Sequence, residues 1–562
     1  MPKTISLDEL ERILDKLDGR GYGSYKDLYN IAVSTREFSY KLTAIQGDPH
    51  APPSILEAMI PSSTHKLEEF DLNDPQVYKP LSDYASRLLY NVAKKYSERC
   101  GNGNSCLIGV PKPSPRILYR STVTFRKSEL VLRVWVGLPA LGRRVNGRMA
   151  KRVLVKRIPR MIMDLVELLG KRDPLTDHIR IYNLQEEIRN WLVENKYSFI
   201  IGNGSILPRK AGFSQEPLAN AVPFKSPPEL EEEICVEHGC IRGMLVEDGV
   251  NIITGGAYHG KTTLLQGILE GIYNHIKGDG REHVVSRPDT FLMQAEDGRI
   301  ITCTDISLFF NTLPDGRDTV CFNTLDASGS TSMAASMTEG LELGVRHILF
   351  DEDTSATNLL YKDKVMMNLI PEDPIKPLNL MVRKLYERYK VSFTAITTAS
   401  SSFLARATRI VKMVKYNPHL VTGSRTLEYR EDTGETTEDI ISLPRERIFQ
   451  GIKGVRRIKS VKRKIIIDYE GTGLLEFLTD KNPRIIEDGQ VKFIAHAIRL
   501  IVKKGKEKLF REIALWIESS LETSGFHFYA KPVPPDLVEA KGLDVIWVLN
   551  RLYNLNVRQT GS

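Results

Sequence analysis

Apolar residues return at helical spacing from Leu7 to Leu17, which predicts an amphipathic helix near the start of the chain. The opening Met1-Pro-Lys-Thr-Ile-Ser-Leu-Asp-Glu-Leu reads as part of it, not as a secretory leader. Gly19-Arg-Gly-Tyr-Gly marks a turn. From Thr122 to Val136 two β-rich runs are parted by Arg126-Lys-Ser-Glu129, the pattern of a hairpin. Asn146 to Leu169 reads as helix, with a break or kink at Pro159. Pro223, Pro227 and Pro228 make Ala219 to Pro228 a linker. Beyond it strands and helices alternate. Gly249 to Thr254 is a buried strand and Lys261 to His275 a helix. Thr290 to Ala295 is a strand, and a turn at Asp297-Gly298 leads into Arg299 to Thr304. Arg346 to Phe350 and Val391 to Thr397 are central strands. After about residue 420 the chain turns polar, then basic. It ends in helices over Val491 to Val502, Leu509 to Leu521 and Leu543 to Tyr553. There is no internal repeat.

At 562 residues the chain is too long for one core. It divides into a mixed α+β region with a basic helix (1–195), an α/β core (196–420) and a basic, helical region (421–562).

The core carries the chemistry. Gly255-Gly256-Ala257-Tyr258-His259-Gly260-Lys261-Thr262 fits the phosphate loop G-x-x-x-x-G-K-[ST], with Thr263 directly after it. The glycines let the backbone curl so that its N–H groups face phosphates, and the following helix adds its positive end. Lys261 is expected to reach the β- and γ-phosphates of a nucleoside triphosphate, and Thr262 to ligate Mg²⁺. Downstream, His347-Ile-Leu-Phe-Asp-Glu352 is an apolar run ending in two carboxylates. Asp351 is placed to order Mg²⁺ and Glu352 to polarise the attacking water. Successive strand residues point to opposite sides, so the two need not share one task. The expected catalytic set is Lys261, Asp351 and Glu352.

Asp351-Glu-Asp-Thr-Ser-Ala-Thr-Asn358 resembles the Walker B and D-loop run of ABC-type ATPases. Ala327-Ser-Gly-Ser-Thr-Ser332, ahead of a helical stretch (Met333 to Leu343), lies where ABC proteins carry their signature loop. Ser328, Gly329 and Ser330 would form a second anion site there. In ABC proteins that loop serves the nucleotide of the opposite protomer. One phosphate loop and one signature-like loop per chain therefore imply a head-to-tail homodimer with composite ATP sites.

Dispersed strings extend the resemblance. They include Gly19-Arg-Gly-Tyr-Gly-Ser-Tyr-Lys-Asp27, Gln46-Gly-Asp-Pro-His-Ala-Pro-Pro-Ser54, Val136-Gly-Leu-Pro-Ala-Leu-Gly-Arg143, Leu207-Pro-Arg209, Tyr273 to Glu282 and Ala295-Glu-Asp-Gly-Arg299. Together they resemble the predicted ATPases of the ABC class, which lack transporter domains. That implies a P-loop core of ABC type. Three positions depart from the general ABC pattern. Asp353 replaces the Pro that follows the catalytic Glu. For the Gln that ends a strand some forty residues past the loop Lys, Asp305 stands near the spacing and is the candidate for holding Mg²⁺ or its water, while Gln294 comes early. Thr397-Thr-Ala-Ser-Ser-Ser-Phe403 lacks the switch His.

Composition narrows the setting. Hydrophobic and charged fractions of 41% and 26% are ordinary for a soluble protein. No run reaches the roughly 18 apolar residues of a membrane span. A cytoplasmic location is expected. Six cysteines do not make a disulfide framework. Cys235 and Cys240 flank His238, but a fourth metal ligand is missing, so ordinary thiols are expected.

Net charge is +8, and basic residues cluster. Arg144, Arg148, Arg152, Lys156 and Arg160 recur every four residues, which on a helix keeps them on one broad face. Arg456, Arg457 and Lys459 belong to a second cluster over Lys453 to Lys464, and Lys503 to Arg511 holds a third. These fit a phosphate-backbone track on RNA or DNA. No base-reading motif is present. Tyr22, Tyr25 and His50 are read as packing residues before base-stacking ones. Phe224 is the candidate for stacking on adenine.

The leading expectation is an ATP-hydrolysing homodimer that clamps or remodels nucleic acid, RNA ahead of DNA. The alternative is a nucleotide-gated assembly or regulatory protein that binds protein partners. A small-molecule kinase comes third, since it needs no signature loop, and a transporter is not expected.

Overall fold

The computed structural model describes residues 3–212, 214–362, 364–398, 400–421 and 442–561. They group into two units, Met1–Asn183 with Ser520–Glu539, and Leu184–Ser519 with Ala540–Ser562. The sequence reading divides the chain in three, at 195/196 and 420/421; the second of these boundaries lies beside the segment outside the described residues.

In the first unit the helix Leu7–Leu17 forms where its spacing predicts, buries Leu10, Leu14 and Leu17, and is closed by a capping box between Ser6 and Glu9. Residues ahead of it differ from the expectation: Lys3–Ile5 is a strand paired in parallel with Ile31–Ser34. It opens a sheet that continues through Ser39–Ala44, Ser54–Ile60, Glu129–Val136 and Ile108–Gly109. Val123–Arg126 pairs antiparallel with Glu129–Val136, so the expected hairpin is present. Tyr22 and Tyr25 are buried, and their hydroxyls donate to the carbonyls of Leu138 and Pro139, which makes them packing residues.

The basic helix is more irregular than the sequence implies. Asn146 caps Gly147–Lys151, a π-helical turn follows over Arg152–Arg157, and Ile158–Leu169 is α-helical with Pro159 in its first turn. Pro159 lacks an N–H and its ring crowds the preceding turn, so the widened turn sits just before it. Arg144 is not on this helix. It lies in the short strand Arg144–Val145, paired with Ala140–Leu141.

In the second unit six strands run in the order Thr290–Leu292, His347–Asp351, Ser392–Ile396, Val250–Gly255, Arg409–Val414 and Asn417–Leu420. The first five are parallel and the last is antiparallel. His347–Asp351 and Ser392–Ile396, in the middle of the sheet, are buried at every position, whereas Arg409–Val414 and Asn417–Leu420 at one edge are partly exposed. The helix Lys261–Glu270 is shorter than predicted. A Cβ on Gly271 would meet Ser286 Oγ at 2.8 Å, and Ser286 N–H bonds the Gly271 carbonyl, so the strand Val284–Ser286 closes the helix end. That strand belongs to an antiparallel sheet ordered Glu231–Val236, Gly239–Glu247, Tyr197–Gly202, Val284–Ser286.

C-terminal segments of the same unit are tied to the core by buried ion pairs. Arg447 meets Glu342 at 2.7 Å and Arg551 Nε donates to Glu296 at 2.9 Å, while Arg484 and Asp544, 2.9 Å apart, join two C-terminal segments to each other. Arg299 pairs with Glu339. The string Ala295-Glu-Asp-Gly-Arg299 thus supplies both an acid and a base to this network. Removing one partner of such a pair strands a buried charge, at roughly 3–5 kcal/mol.

All six cysteines are paired: Cys100–Cys106, Cys235–Cys240 and Cys303–Cys321. This overturns the expectation of ordinary thiols. Cys235 and Cys240 are direct cross-strand partners in a hairpin, a pairing that spacing alone does not reveal. His238 at that turn meets Glu187 at 2.5 Å instead of sharing a metal with thiolates.

Candidate nucleotide site

The phosphate loop leaves the C-terminal end of the strand Val250–Gly255 and runs into the helix Lys261–Glu270. Gly255 and Gly260 have φ of 137° and 90°, a region open to glycine. A Cβ on Gly255 would stand 2.4 Å from the Met413 carbonyl oxygen. Tyr258 shares the left-handed backbone at φ 61° and is 95% exposed at the loop's tip. His259 Nδ1 lies 3.1 Å from the Met413 carbonyl. Lys261 folds back over the loop, its Nζ donating to the carbonyls of Gly255 at 2.8 Å and Gly256 at 2.6 Å. Its amine therefore sits inside the curl of the loop.

The Thr262 hydroxyl donates to Asp351 Oδ2 at 3.2 Å. A hydroxyl and a carboxylate side by side form the oxygen donor set of a hard cation, so these residues fit Mg²⁺. Burial raises the Asp351 pKa. Glu352, also buried, is held differently. Its Oε2 accepts the Thr398 N–H at 2.7 Å, and its Oε1 accepts the Tyr361 hydroxyl at 3.3 Å. The carboxylates of Asp351 and Glu352 thus have separate partners, as the strand alternation implies.

Ser328 caps the helix Gly329–Glu342, its side chain accepting from the Thr331 N–H. Ser330 donates to the Asn358 side chain at 2.8 Å, joining the signature-like loop to the end of the D-loop-like run.

Asp305 does not meet the Mg²⁺-type pair. Its Oδ1 accepts from Ser307, its Oδ2 accepts the Arg445 N–H at 3.1 Å, and no hydrogen bond joins it to Thr262 or Asp351 among the described residues. Gln294 follows the strand Thr290–Leu292, whose neighbour is the strand ending in Asp351. The Met293 and Ala295 N–H groups bond the Leu349 and Thr354 carbonyls around it. The Gln294 side-chain amide donates to the Lys481 carbonyl, so it too makes no hydrogen bond to Thr262 or Asp351 among the described residues. Phe224 is 5% exposed in the core beneath the phosphate-loop helix, so it offers no face to a base. Tyr361 and Thr398, missed by the sequence reading, carry no motif of their own. Thr397, beside Thr398, has a buried hydroxyl without a hydrogen-bond partner among the described residues.

Of the basic candidates, Arg144, Arg148, Arg152 and Lys156 are exposed, as is Arg160. Only Arg152 among these has an acid within ion-pair range among the described residues, Glu98 at 3.8 Å. Arg456, Arg457 and Lys459 lie on the strand Val455–Val461, with Arg456 paired to Glu470 at 3.4 Å.

Two family models cover most of the chain. A P-loop domain model, ABC_ATPase, matches residues 171–446, and the model of the N-terminal region of ATPases of the ABC class matches residues 7–169. The chain belongs to the ABC-class ATPases. The P-loop domain of this family supports nucleotide binding and suggests ATPase activity. An uncharacterized protein of Methanocaldococcus jannaschii, MJ1628, is 35% identical over 222 residues, covering 37% of this chain and 49% of that protein. The chain thus matches about half the length of that relative. A solved chain from a metal-chelate type ABC transporter in an inward-facing conformation is 13% identical with a TM-score of 0.24, over 50% of this ABC-class chain and 98% of that one, a likeness too loose to carry an argument. No helix among the described residues is long and apolar enough to cross a membrane.

Proposed function

We propose that this ABC-class ATPase binds ATP with Mg²⁺, closes as a head-to-tail homodimer, and uses hydrolysis to clamp and release nucleic acid, RNA ahead of DNA. Lys261 and the loop N–H groups would hold the phosphates, and Thr262 with Asp351 the cation, which supplies charge neutralisation when bound. Glu352 is the water-orienting base: one oxygen is fixed by a main-chain N–H and the other by a hydroxyl. The backbone at Thr398 and the unpaired Thr397 hydroxyl occupy the stretch where other ABC proteins use a His.

The observation that carries the partner is the run Arg148, Arg152, Lys156 and Arg160. All four are exposed, and acids are scarce beside them. The π-helical turn, closing i to i+5 bonds, widens the helix and brings residues four apart closer to eclipse. Four cations in a row suit a phosphate backbone.

The test is the mass of the Glu352→Gln protein in solution, with and without ATP and Mg²⁺, in the presence of labelled single-stranded RNA or DNA. An ATP-dependent dimer that retains polynucleotide is expected. A dimer indifferent to both polymers would favour the protein-assembly reading, and a monomer with ATP bound would remove the composite site.

A further inference from the structure

We infer that a cavity in the first unit, between the hairpin of Val123–Arg126 with Glu129–Val136 and residues 522–527, is a binding site for a nucleoside monophosphate unit, either a free nucleotide or the 5′-phosphorylated end of a strand. No residue of the phosphate loop lines it, so the inference stands apart from the ATP reading above; only its strand-end form touches the nucleic-acid reading.

The cavity holds about 400 Å³, within the range of small-molecule sites and more than a bare oxyanion fills. Its lining carries hydrogen-bond donors with nothing to bond. Tyr78, from the helix Pro75–Tyr96, is 8% exposed, and its buried hydroxyl has no partner among the described residues. Burial pushes the Tyr78 pKa up to about 12, so this hydroxyl keeps its proton. The Tyr119 hydroxyl has no hydrogen bond among the described residues either. Its ring is fixed by stacking on Phe526 at 4.9 Å and by meeting Tyr78 edge-on at 5.3 Å. Arg133 is 4% exposed. Its Nε meets Glu57 at 3.1 Å, and its Nη1 donates to Ser121 and Thr124, which leaves Nη2 without a hydrogen bond among the described residues. A buried polar group left unpaired costs about 1–3 kcal/mol. One acceptor-rich ligand would serve all three donors.

The rim fixes the sign of that ligand. Arg126 ends its strand and Lys127 follows in the turn; both are exposed, and neither has an acid within ion-pair range among the described residues. His527 lines the same cavity. Burial, and then the charges of Arg126, Lys531 and Arg133, push its pKa below the ordinary value, so positive groups crowd this place. Glu522, the carboxylate of the lining, is held by Lys79 at 2.8 Å. A phosphate would relieve the crowding and accept charge-assisted hydrogen bonds. Phe125 and Leu72, only partly buried, supply an apolar wall for a planar ring. Cationic rim, donor floor and aromatic wall together match the phosphate and base of one nucleotide.

The test measures binding by calorimetry on the full-length protein carrying Lys261→Ala, so that the phosphate loop does not compete. The ligands are AMP, adenosine, inorganic phosphate, and a short single-stranded RNA with a 5′-phosphate or a 5′-hydroxyl. AMP is expected to bind more tightly than adenosine or phosphate, or the phosphorylated RNA more tightly than its hydroxyl form. The first result alone identifies a free nucleotide, the second alone a strand end, and both together a pocket open to either. Replacing the exposed Arg126 and Lys127 by Gln should weaken that ligand about 10-fold or more, and Tyr78→Phe about 2- to 10-fold, the worth of charged and neutral hydrogen bonds. If AMP binds no better than its two fragments and the 5′-phosphate adds nothing to RNA, the assignment is wrong. It is also wrong if these variants leave the affinities unchanged. Neither failure bears on ATP-driven dimerisation, which the Glu352→Gln experiment decides.

Discussion

His347 opens the strand that ends in Asp351 and is fully buried. Its ring lies between the hydroxyls of Thr290 at 2.9 Å and Thr394 at 3.0 Å, so both nitrogens are served by neutral partners. Burial lowers its pKa from 6.5 to about 3. The sign follows from linkage. Below its ordinary value the unfolded chain takes a proton that the folded chain refuses, so this group's contribution to stability is present above 6.5 and lost as pH falls toward 3. Each pH unit in that window costs about 1.4 kcal/mol, or about 2 kcal/mol by about pH 5. Thermal melts from about pH 7 to pH 5 should show the loss, and His347→Gln should flatten it. An unchanged slope in the variant would mean that the acid sensitivity lies elsewhere. Four residues later the direction matters for chemistry. The raised pKa of Asp351 makes its proton a competitor for Mg²⁺, so Mg²⁺ affinity should begin to fall at a higher pH than an ordinary carboxylate predicts. Titrating Mg²⁺-dependent ATP binding from about pH 7 downward checks this.

At the scale of elements, legibility tracked how local each determinant is. The helix Leu7–Leu17 and the Val123–Val136 hairpin carry their own period and caps, and both were readable. So were the phosphate loop and the apolar strand before Asp351, where chemistry fixes residue type and spacing. Determinants from distant contacts were not readable. Helix Lys261–Glu270 stops at Gly271 because Ser286 packs there, and a π-turn depends on how the helix meets Pro159. Asp305 had the right spacing but is consumed by Ser307 and Arg445. The disulfides belong with these misses. They close loops with sequence separations of 6, 5 and 18 residues. At such lengths each should contribute about 2–3 kcal/mol by restricting the unfolded chain, most for Cys303–Cys321. Thiol titration of the denatured, unreduced protein should therefore find no free cysteine, and reduction should lower the melting temperature. A protein with six titratable thiols and an unchanged melt would show that the pairs stay reduced.

For the whole molecule, the decisive quantity is how polynucleotide binding responds to salt. If the run Arg148, Arg152, Lys156 contacts backbone phosphates, binding releases counterions, and log K falls linearly with log salt. Each contact to a single strand adds about 0.7 to that slope. Replacing the three by Gln should then weaken RNA binding at all sequences and reduce the slope by about 2. The strand cluster makes a useful contrast. Arg456 already has Glu470 as a partner, and Lys464 has Glu476 at 2.7 Å, so neutralising Arg456 should change the slope less than neutralising Arg148. Should the Arg148 series leave the slope untouched while Arg457 and Lys459 move it, the track runs over the C-terminal sheet. A slope near zero for every variant would leave no phosphate track, and the basic faces would then belong to an acidic protein partner.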